Sequence, residues 1–241
     1  MLISVVVPAF NEETCLPHTL GNLDRARQVL RDEMRVESEV IVVDDDSQDS
    51  TADIARAFMV KIITVMHHNI AKVRNAGAKS SEGDVLVFVD ADTSVPAELL
   101  SRVATAMSDN ACIGGAVDTD YRPTKRAVHV YLRFWRIIGR LAGMAQGATQ
   151  FCRRDAFVAL KGYDETLFMG EDVDFFWRLK RFAKQQHKRV AIIEDVRVVP
   201  STRRFDQWPL WRTLVWTNPL FILMFRRTKQ YWDDWYLSAP R

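Results

Sequence analysis

At 241 residues with 48% apolar side chains, the chain is long enough to bury one continuous core and is expected to fold alone. Its 33 lysines and arginines against 31 acidic residues leave a formal charge of +2, so the global balance calls for no nucleic acid or other polyanionic partner. Cys15, Cys112 and Cys152 are widely spaced, without a CxxC pair or histidines at ligand spacing; they read as reduced, buried, inert thiols rather than a disulfide framework or a metal site.

Residues 1–10 run directly into a strand pattern, without a charged leader and long apolar stretch, so a secretory signal is not expected and the cytoplasm is the default compartment. Five β-branched runs organise the first half: Ile3 to Val7, Val40 to Val43, Lys61 to Val65, Val85 to Val89 and Ile113 to Thr119. Between them helical patterns cover Glu13 to Leu30, Ser50 to Phe58, Ala71 to Lys79 and Pro96 to Ser108, the last opened by Pro96 after Ser94. This alternation predicts an α/β fold with a mostly parallel central sheet flanked by helices. After Thr119 come a basic, aromatic helix from about Lys125 to Leu141, a Gly-rich connection, a short strand near Ala148 to Cys152, and helices around Ala156 and Val173. The tail from Trp208 mixes Trp and Arg with apolar residues, which suits either a helix lying along a membrane interface with snorkelling arginines or a second helix packed on the core. Its most apolar stretch, Leu214 to Phe225, is interrupted by Asn218 and Pro219 and falls short of the ~20 residues that span a bilayer.

In open parallel sheets, ligands bind beyond the carboxyl ends of the strands, and here those ends read Pro8-Ala9-Phe10-Asn11-Glu12, Asp44-Asp45-Asp46-Ser47 and Asp90-Ala91-Asp92-Thr93. Two carboxylates directly after the apolar strand at Val85 to Val89 cannot both enter a core. A hard divalent cation, Mg2+ or Mn2+, compensates them naturally, taking one or two protein carboxylates and filling its other positions with phosphate oxygens and water. The plainer alternative makes Asp90 and Asp92 turn formers and a cap for the helix from Pro96. In the second cluster Asp49 and Ser50 suit an N-cap, whereas Asp44 and Asp45 come too early to cap and remain candidates for accepting hydrogen bonds from a base or ribose. Arg74, in Arg74-Asn75-Ala76-Gly77, either pairs with phosphate or holds an aspartate in place. Gly170-Glu171-Asp172 opens another helix, whose dipole is expected to lower the carboxylate pKa and keep Asp172 ionised as a proton acceptor; simple capping is the alternative. From Tyr121 to Lys161 the charged residues are basic except Asp155, which reads as a surface near phosphate or lipid headgroups.

Taken in order, Val7-Pro8-Ala9-Phe10-Asn11-Glu12, Val43-Asp44-Asp45-Asp46-Ser47, Arg74-Asn75-Ala76-Gly77, Asp90-Ala91-Asp92 and Gly170-Glu171-Asp172 resemble glycosyltransferase family 2, the inverting enzymes of the GT-A fold. Phe151-Cys152-Arg153-Arg154-Asp155 and Gly162-Tyr163-Asp164-Glu165 extend the resemblance, which runs over roughly residues 3 to 204. It implies that Pro8, Ala9, Phe10, Glu12, Asp44 and Asp45 hold the base and ribose of a nucleotide sugar, with Arg74 and the Asp90-Ala91 segment also on the nucleotide-sugar side. It implies further that Asp92, with Asp90, ligates Mn2+ or Mg2+, that Asp172 is the catalytic base, and that Glu171 places the acceptor. Arg203 and Arg204 match a basic segment that closes over diphosphate in many members, and are assigned here to acceptor binding. Two departures stand out: Lys161 precedes Gly162 where many members have paired glycines, and Asp46 stands where glycine commonly follows the aspartate pair.

The implied organisation is a GT-A domain over residues 1–205, with a nucleotide-sugar half (1–119) and an acceptor half (120–205), then an amphipathic tail over 206–241. The implied reaction is a single, metal-assisted transfer with inversion from a nucleotide diphosphate sugar, UDP favoured, to a hydroxyl of a sugar or lipid-linked acceptor. Peripheral contact with the cytoplasmic face of a membrane accompanies that expectation. A nucleotidyltransferase is the enzyme alternative, although the turn after the first strand lacks the Gly-rich phosphate loop such enzymes need. A non-catalytic sugar-nucleotide-binding protein is the alternative of a different class. No QxxRW signature follows Phe205, which argues against a processive synthase.

Overall fold

The computed structural model describes residues 1–141 and 148–232. Most of the expected Gly-rich connection, 142–147, and the end of the tail, 233–241, lie outside the described residues.

Eight strands form a single sheet: β1 (Leu2–Ala9), β2 (Glu37–Asp44), β3 (Lys61–Thr64), β4 (Val85–Val89), β5 (Thr93–Ser94), β6 (Cys112–Thr119), β7 (Thr149–Arg153) and β8 (Arg189–Pro200), in the order β3-β2-β1-β4-β7-β6-β8-β5. β3, β2, β1 and β4 are parallel, and β6 runs parallel to β8. β7 enters antiparallel between β4 and β6, and the two-residue β5 pairs antiparallel with the end of β8. The centre of the sheet is buried on both faces, which is why β1, β2 and β4 are near-continuous aliphatic runs without alternation.

One face is covered by α1 (Leu16–Met34) and α4 (Leu99–Ser108), which contribute Leu16, Leu20, Leu23, Leu30, Leu100 and Val103 to a core with the strand residues Val5, Val7, Val42 and Val87. The other face takes α3 (Ile70–Ser80), α6 (Arg154–Ala159) and α7 (Glu171–Gln185), packing Val73, Phe157, Tyr163 and Phe175 against Val6, Ile41 and Phe88. A short α2 (Thr51–Ala57) follows β2. α1 starts later than the sequence pattern suggests, because Pro17 fits the first turn, and runs on to Arg35 in the left-handed conformation at φ 57°. α4 likewise begins after Pro96, with Glu98 at its N-cap.

Beyond β6 comes the basic, aromatic α5 (Arg126–Leu141), whose Leu132 and Trp135 reach the cleft at the strand ends. The tail is not one helix. α8 (Arg203–Gln207), α9 (Leu210–Trp216) and α10 (Pro219–Phe225) are separated by Pro209 and Pro219, and the Asn218 side chain caps α10 by accepting from Leu220 N at 2.8 Å. The tail docks on the domain, with Trp208 and Trp232 buried and Phe168 N–H donating to the Arg226 carbonyl at 2.7 Å. No helix among the described residues is long and apolar enough to cross a membrane.

Candidate active site

The ends of β1 and β4 and the start of α7 face one another across a cleft of about 380 Å3. Pro8, Ala9, Phe10, Glu12, Arg74, Asp90, Ala91 and Asp92 line one wall, and Glu171, Asp172 and Arg204 line it from the other elements. Asp92 and Asp172, far apart in sequence, therefore share a cavity.

Arg74 joins the two walls. Its Nη2 donates to Asp90 Oδ1 at 2.7 Å and its Nη1 to Glu171 Oε1 at 2.5 Å, while the guanidinium lies 5.3 Å from the Tyr163 ring centroid. Arg74 and Glu171 are almost wholly buried, and the adjacent carboxylates drive the guanidinium pKa above its ordinary value despite burial. Of the two uses anticipated for Arg74, phosphate pairing or holding an aspartate, the structure has the second. The backbone explains the motif around it: a Cβ on Gly77 would stand 2.3 Å from Val6 Cγ1 and 2.8 Å from Val43 Cγ2, so only glycine lets α3 lie this close to the sheet. Asn75 then clasps the loop before α7, accepting from Tyr163 N at 2.9 Å and donating to the Tyr163 carbonyl at 3.0 Å.

Asp90 and Asp92 do not cap α4, whose N-cap is Glu98, though they do stand in a turn closed by Thr93 N–H donating to the Asp90 carbonyl at 3.1 Å. The Asp92 side chain keeps 23% of its surface exposed, and Arg203 Nη2 reaches it at 3.4 Å. Burial, then the neighbouring Glu12 and Asp90 carboxylates, raise its pKa to about 7; Arg203 and Arg204 oppose the shift without cancelling it. An under-compensated carboxylate of this kind suits a hard cation. Among the described residues no three His, Cys, Asp or Glu side chains converge to form a complete metal cage. A donor set of one or two carboxylates fits a cation completed by phosphate and water.

At the opposite wall, Gly170 takes the N-cap of α7 at φ 72°, turning Glu171 and Asp172 into the cleft. Gln150 Nε2 donates to the Asp172 carbonyl at 3.0 Å and is itself held by Tyr163 Oη, which donates to Gln150 Oε1 at 3.2 Å. The expectation that the helix dipole lowers the Asp172 pKa is overturned. Burial, then Glu171, raise it to about 7, and the opposing contributions of Arg74 and the Val173 N–H are smaller. Desolvation outweighs the dipole because the helix end points into the cleft rather than into water.

The other expected residues are placed less uniformly. Asp44 and Asp45 are buried behind the β1 turn and do not line the cleft: Asp44 Oδ1 accepts from Ser47 N at 3.2 Å and Asp45 Oδ1 from His67 N at 2.6 Å. Arg203, assigned to the acceptor, lies instead on the Asp92 side, donating to Glu12 Oε1 at 2.5 Å. It arrives there because β8 ends beside β5, with Ser201 N–H donating to the Asp92 carbonyl at 2.9 Å. Cys15 is not buried as expected; its Sγ sits 3.3 Å from Arg203 Nη1, whereas Cys112 and Cys152 are buried.

The family model described as Glycosyl transferase family 2 matches residues 4–167, the stretch holding the β1 turn, Arg74 and the Asp90-Ala91-Asp92 strand end. The chain belongs to glycosyl transferase family 2. A 4,4'-diaponeurosporenoate glycosyltransferase of Staphylococcus haemolyticus is 41% identical over 100 residues, 39% of this chain and 24% of that protein. Among solved structures, a mannosyltransferase from Pyrobaculum calidifontis in complex with GDP-Man and Mn2+ superposes with a TM-score of 0.65 at 22% identity, over 87% of this chain and 59% of that one. The glucosyl-3-phosphoglycerate synthase of Mycobacterium tuberculosis, in complex with Mn2+, UDP and glucosyl-3-phosphoglycerate, gives a TM-score of 0.62 at 20% identity, over 94% and 80% of the two chains. These superpositions share the GT-A fold, and the match spans about a quarter to a third of the length of curated relatives such as the Staphylococcus haemolyticus protein.

The two departures from the family 2 pattern have one conformational explanation. Lys161 and Asp46, standing where glycine is common, both adopt left-handed backbone, at φ 58° and 64°. Sequence reasoning missed Tyr121, Leu132 and Trp135, which bring the β6 end and α5 into the cleft, and Trp216 and Ile222 from the tail. Only the aromatic composition of those segments signalled them. Gln150, which with Tyr163 positions the Asp172 backbone, carried no signal of its own; Tyr163 stood in the Gly162-Tyr163-Asp164-Glu165 motif without an assigned role.

Proposed function

We propose that this family 2 protein is an inverting glycosyltransferase that makes a single addition of a sugar from a nucleotide diphosphate sugar to an acceptor hydroxyl. The observation that carries the reading is the Arg74 bridge, which ties the Asp90 strand end to Glu171 and so fixes Asp92 and Asp172 on facing walls of one cleft. A UDP-sugar is the favoured donor, its base and ribose lying against the Pro8 to Glu12 turn, with Asp44 and Asp45 behind it.

Asp92, with Asp90, would hold Mn2+ or Mg2+, which when bound supplies charge neutralisation for the leaving diphosphate. Arg204 adds a guanidinium on the same side of the cleft. Asp172 accepts the proton of the attacking acceptor hydroxyl, and its pKa near neutrality matches that task. Glu171, held by Arg74, borders the acceptor position. Attack at the anomeric carbon opposite the diphosphate gives inversion in one displacement, without a covalent enzyme intermediate.

A lipid-linked acceptor and peripheral membrane contact are supported by the surface beside the cleft. Val130, Phe134 and Ile137 expose one apolar face of α5, and Trp211, Leu220 and Met224 are exposed on the tail near Arg212, Arg226 and Arg227. The test is turnover of UDP- and GDP-sugars with Mn2+, with product anomers resolved by NMR. A folded Asp172→Asn variant that transferred sugar at the wild-type rate would sink the assignment.

A further inference from the structure

A second cavity of about 420 Å3 lies between α5 and β8, outside the cleft. Arg133 and Arg136 of α5 and Arg197 of β8 line it, together with His129 one turn before Arg133. The acidic side chains nearby are already committed. Asp118, buried at its edge, accepts from Arg136 and, at 3.1 Å, from Arg197 Nε; Asp120, which itself lines the cavity, accepts from Arg122 Nε at 2.9 Å. One carboxylate shared between two guanidiniums leaves a surplus, and the exposed Arg133 adds to it, making no ion pair among the described residues. Among the described residues the buried Arg136 Nε has no hydrogen-bond partner. With Arg122 counted beside Arg133, Arg136 and Arg197, and Asp118 and Asp120 set against them, the cavity and its rim carry an excess of about two positive charges, close to the charge of a phosphate monoester at neutral pH. Tyr121 and Leu132 line both this cavity and the cleft, so the two are neighbours across that pair of side chains.

We propose that this cavity is the subsite for a phosphate group carried by the acceptor, gripped by Arg133, Arg136 and Arg197 while the acceptor hydroxyl reaches towards Asp172. The proposal rests on the transferase reading and narrows its acceptor to a phosphorylated molecule. Guanidinium forks recognise phosphate oxygens through paired, charge-assisted hydrogen bonds, a contact that lysine or a neutral wall does not supply.

The test titrates inorganic phosphate calorimetrically into the full chain already saturated with Mg2+ and UDP, so that phosphate positions in the cleft are filled. A parallel arm measures sedimentation with phosphatidylcholine vesicles, with and without phosphatidic acid. The double variant Arg133→Gln, Arg197→Gln removes two exposed arginines and leaves the Arg136–Asp118 pair in place. It is expected to weaken phosphate binding at least about tenfold while UDP affinity stays at the wild-type value. Loss of phosphate binding identifies a soluble phosphorylated acceptor, and loss confined to phosphatidic acid vesicles identifies a lipid headgroup; both sustain the subsite. Unchanged affinity in both arms, or no binding by the wild type, overturns it. A chain that takes up phosphate through these arginines but neither binds UDP nor turns over a nucleotide sugar would instead overturn the transferase reading and leave the subsite standing.

Discussion

On the cleft wall built from strand ends, the functional side chains follow directly from buried backbone: Asp90 leaves β4, the β1 turn leaves Ala9, and Arg74 is locked beneath both by two carboxylates. On the opposite wall, the start of α7 with Glu171 and Asp172 is flanked by α5 and the tail, where short helices meet at prolines, aromatic side chains do the packing, and apolar faces stay exposed. The first wall is tied together by ion pairs, Arg74 to Asp90 and Glu171 and Arg203 to Glu12. The second has room for a variable partner.

The largest expected effect falls where the walls meet chemically. Asp172→Asn should lower transfer by about a thousandfold while Mn2+-dependent UDP binding is retained, as checked by single-turnover kinetics and calorimetry. Loss of UDP binding in parallel would mean that Asp172 belongs to the donor wall.

Arg74→Ala should destabilise the fold by about 3–5 kcal/mol in urea denaturation, because it leaves the buried Glu171 carboxylate without its partner. A stability near wild type would show that the walls are held independently.

The pH dependence separates the base from its surroundings. With its pKa raised to about 7, Asp172 is mostly protonated below neutrality, so the transfer rate should rise as pH passes from about 6 to 8. Stability runs the other way. The unfolded chain releases this proton near the ordinary value of 3.8 and the native cleft only near 7, so the unfolded state gains relative stability as pH rises through that window. The metal-free Asp172→Asn variant should therefore melt above wild type at pH 8, and the difference should close as pH falls towards 4.

The smallest effect on the fold belongs to the exposed ridge of α5. Phe134→Ser should change stability by less than about 0.5 kcal/mol, yet reduce sedimentation with anionic vesicles. Undiminished vesicle binding would remove the membrane from this wall.

Four parallel strands and the helices between them were legible because doubly covered strands must be continuously aliphatic, as at Val85 to Val89, and because caps and prolines mark helix starts. β8 was not. Glu194, Asp195 and Arg197 interrupt its apolar residues, and register shifts against β6 break any regular alternation. Missing β8 also misplaced Arg203, since the antiparallel pairing of β8 with β5 is what delivers that arginine to Glu12 and Asp92.

Sequence alone determined which residue types stand at the strand ends and at one helix start, because local pattern and turn chemistry carry that information: Asp90-Ala91-Asp92 after β4 and Gly170-Glu171-Asp172 opening a helix. Tertiary structure decided which charges meet and how strongly burial shifts them. The Arg74 contacts to Asp90 and Glu171, the upward shift at Asp172 and the arginine cavity behind Tyr121 all depend on groups distant in the chain, and Coulomb and desolvation energies follow distance and solvent exposure rather than sequence order.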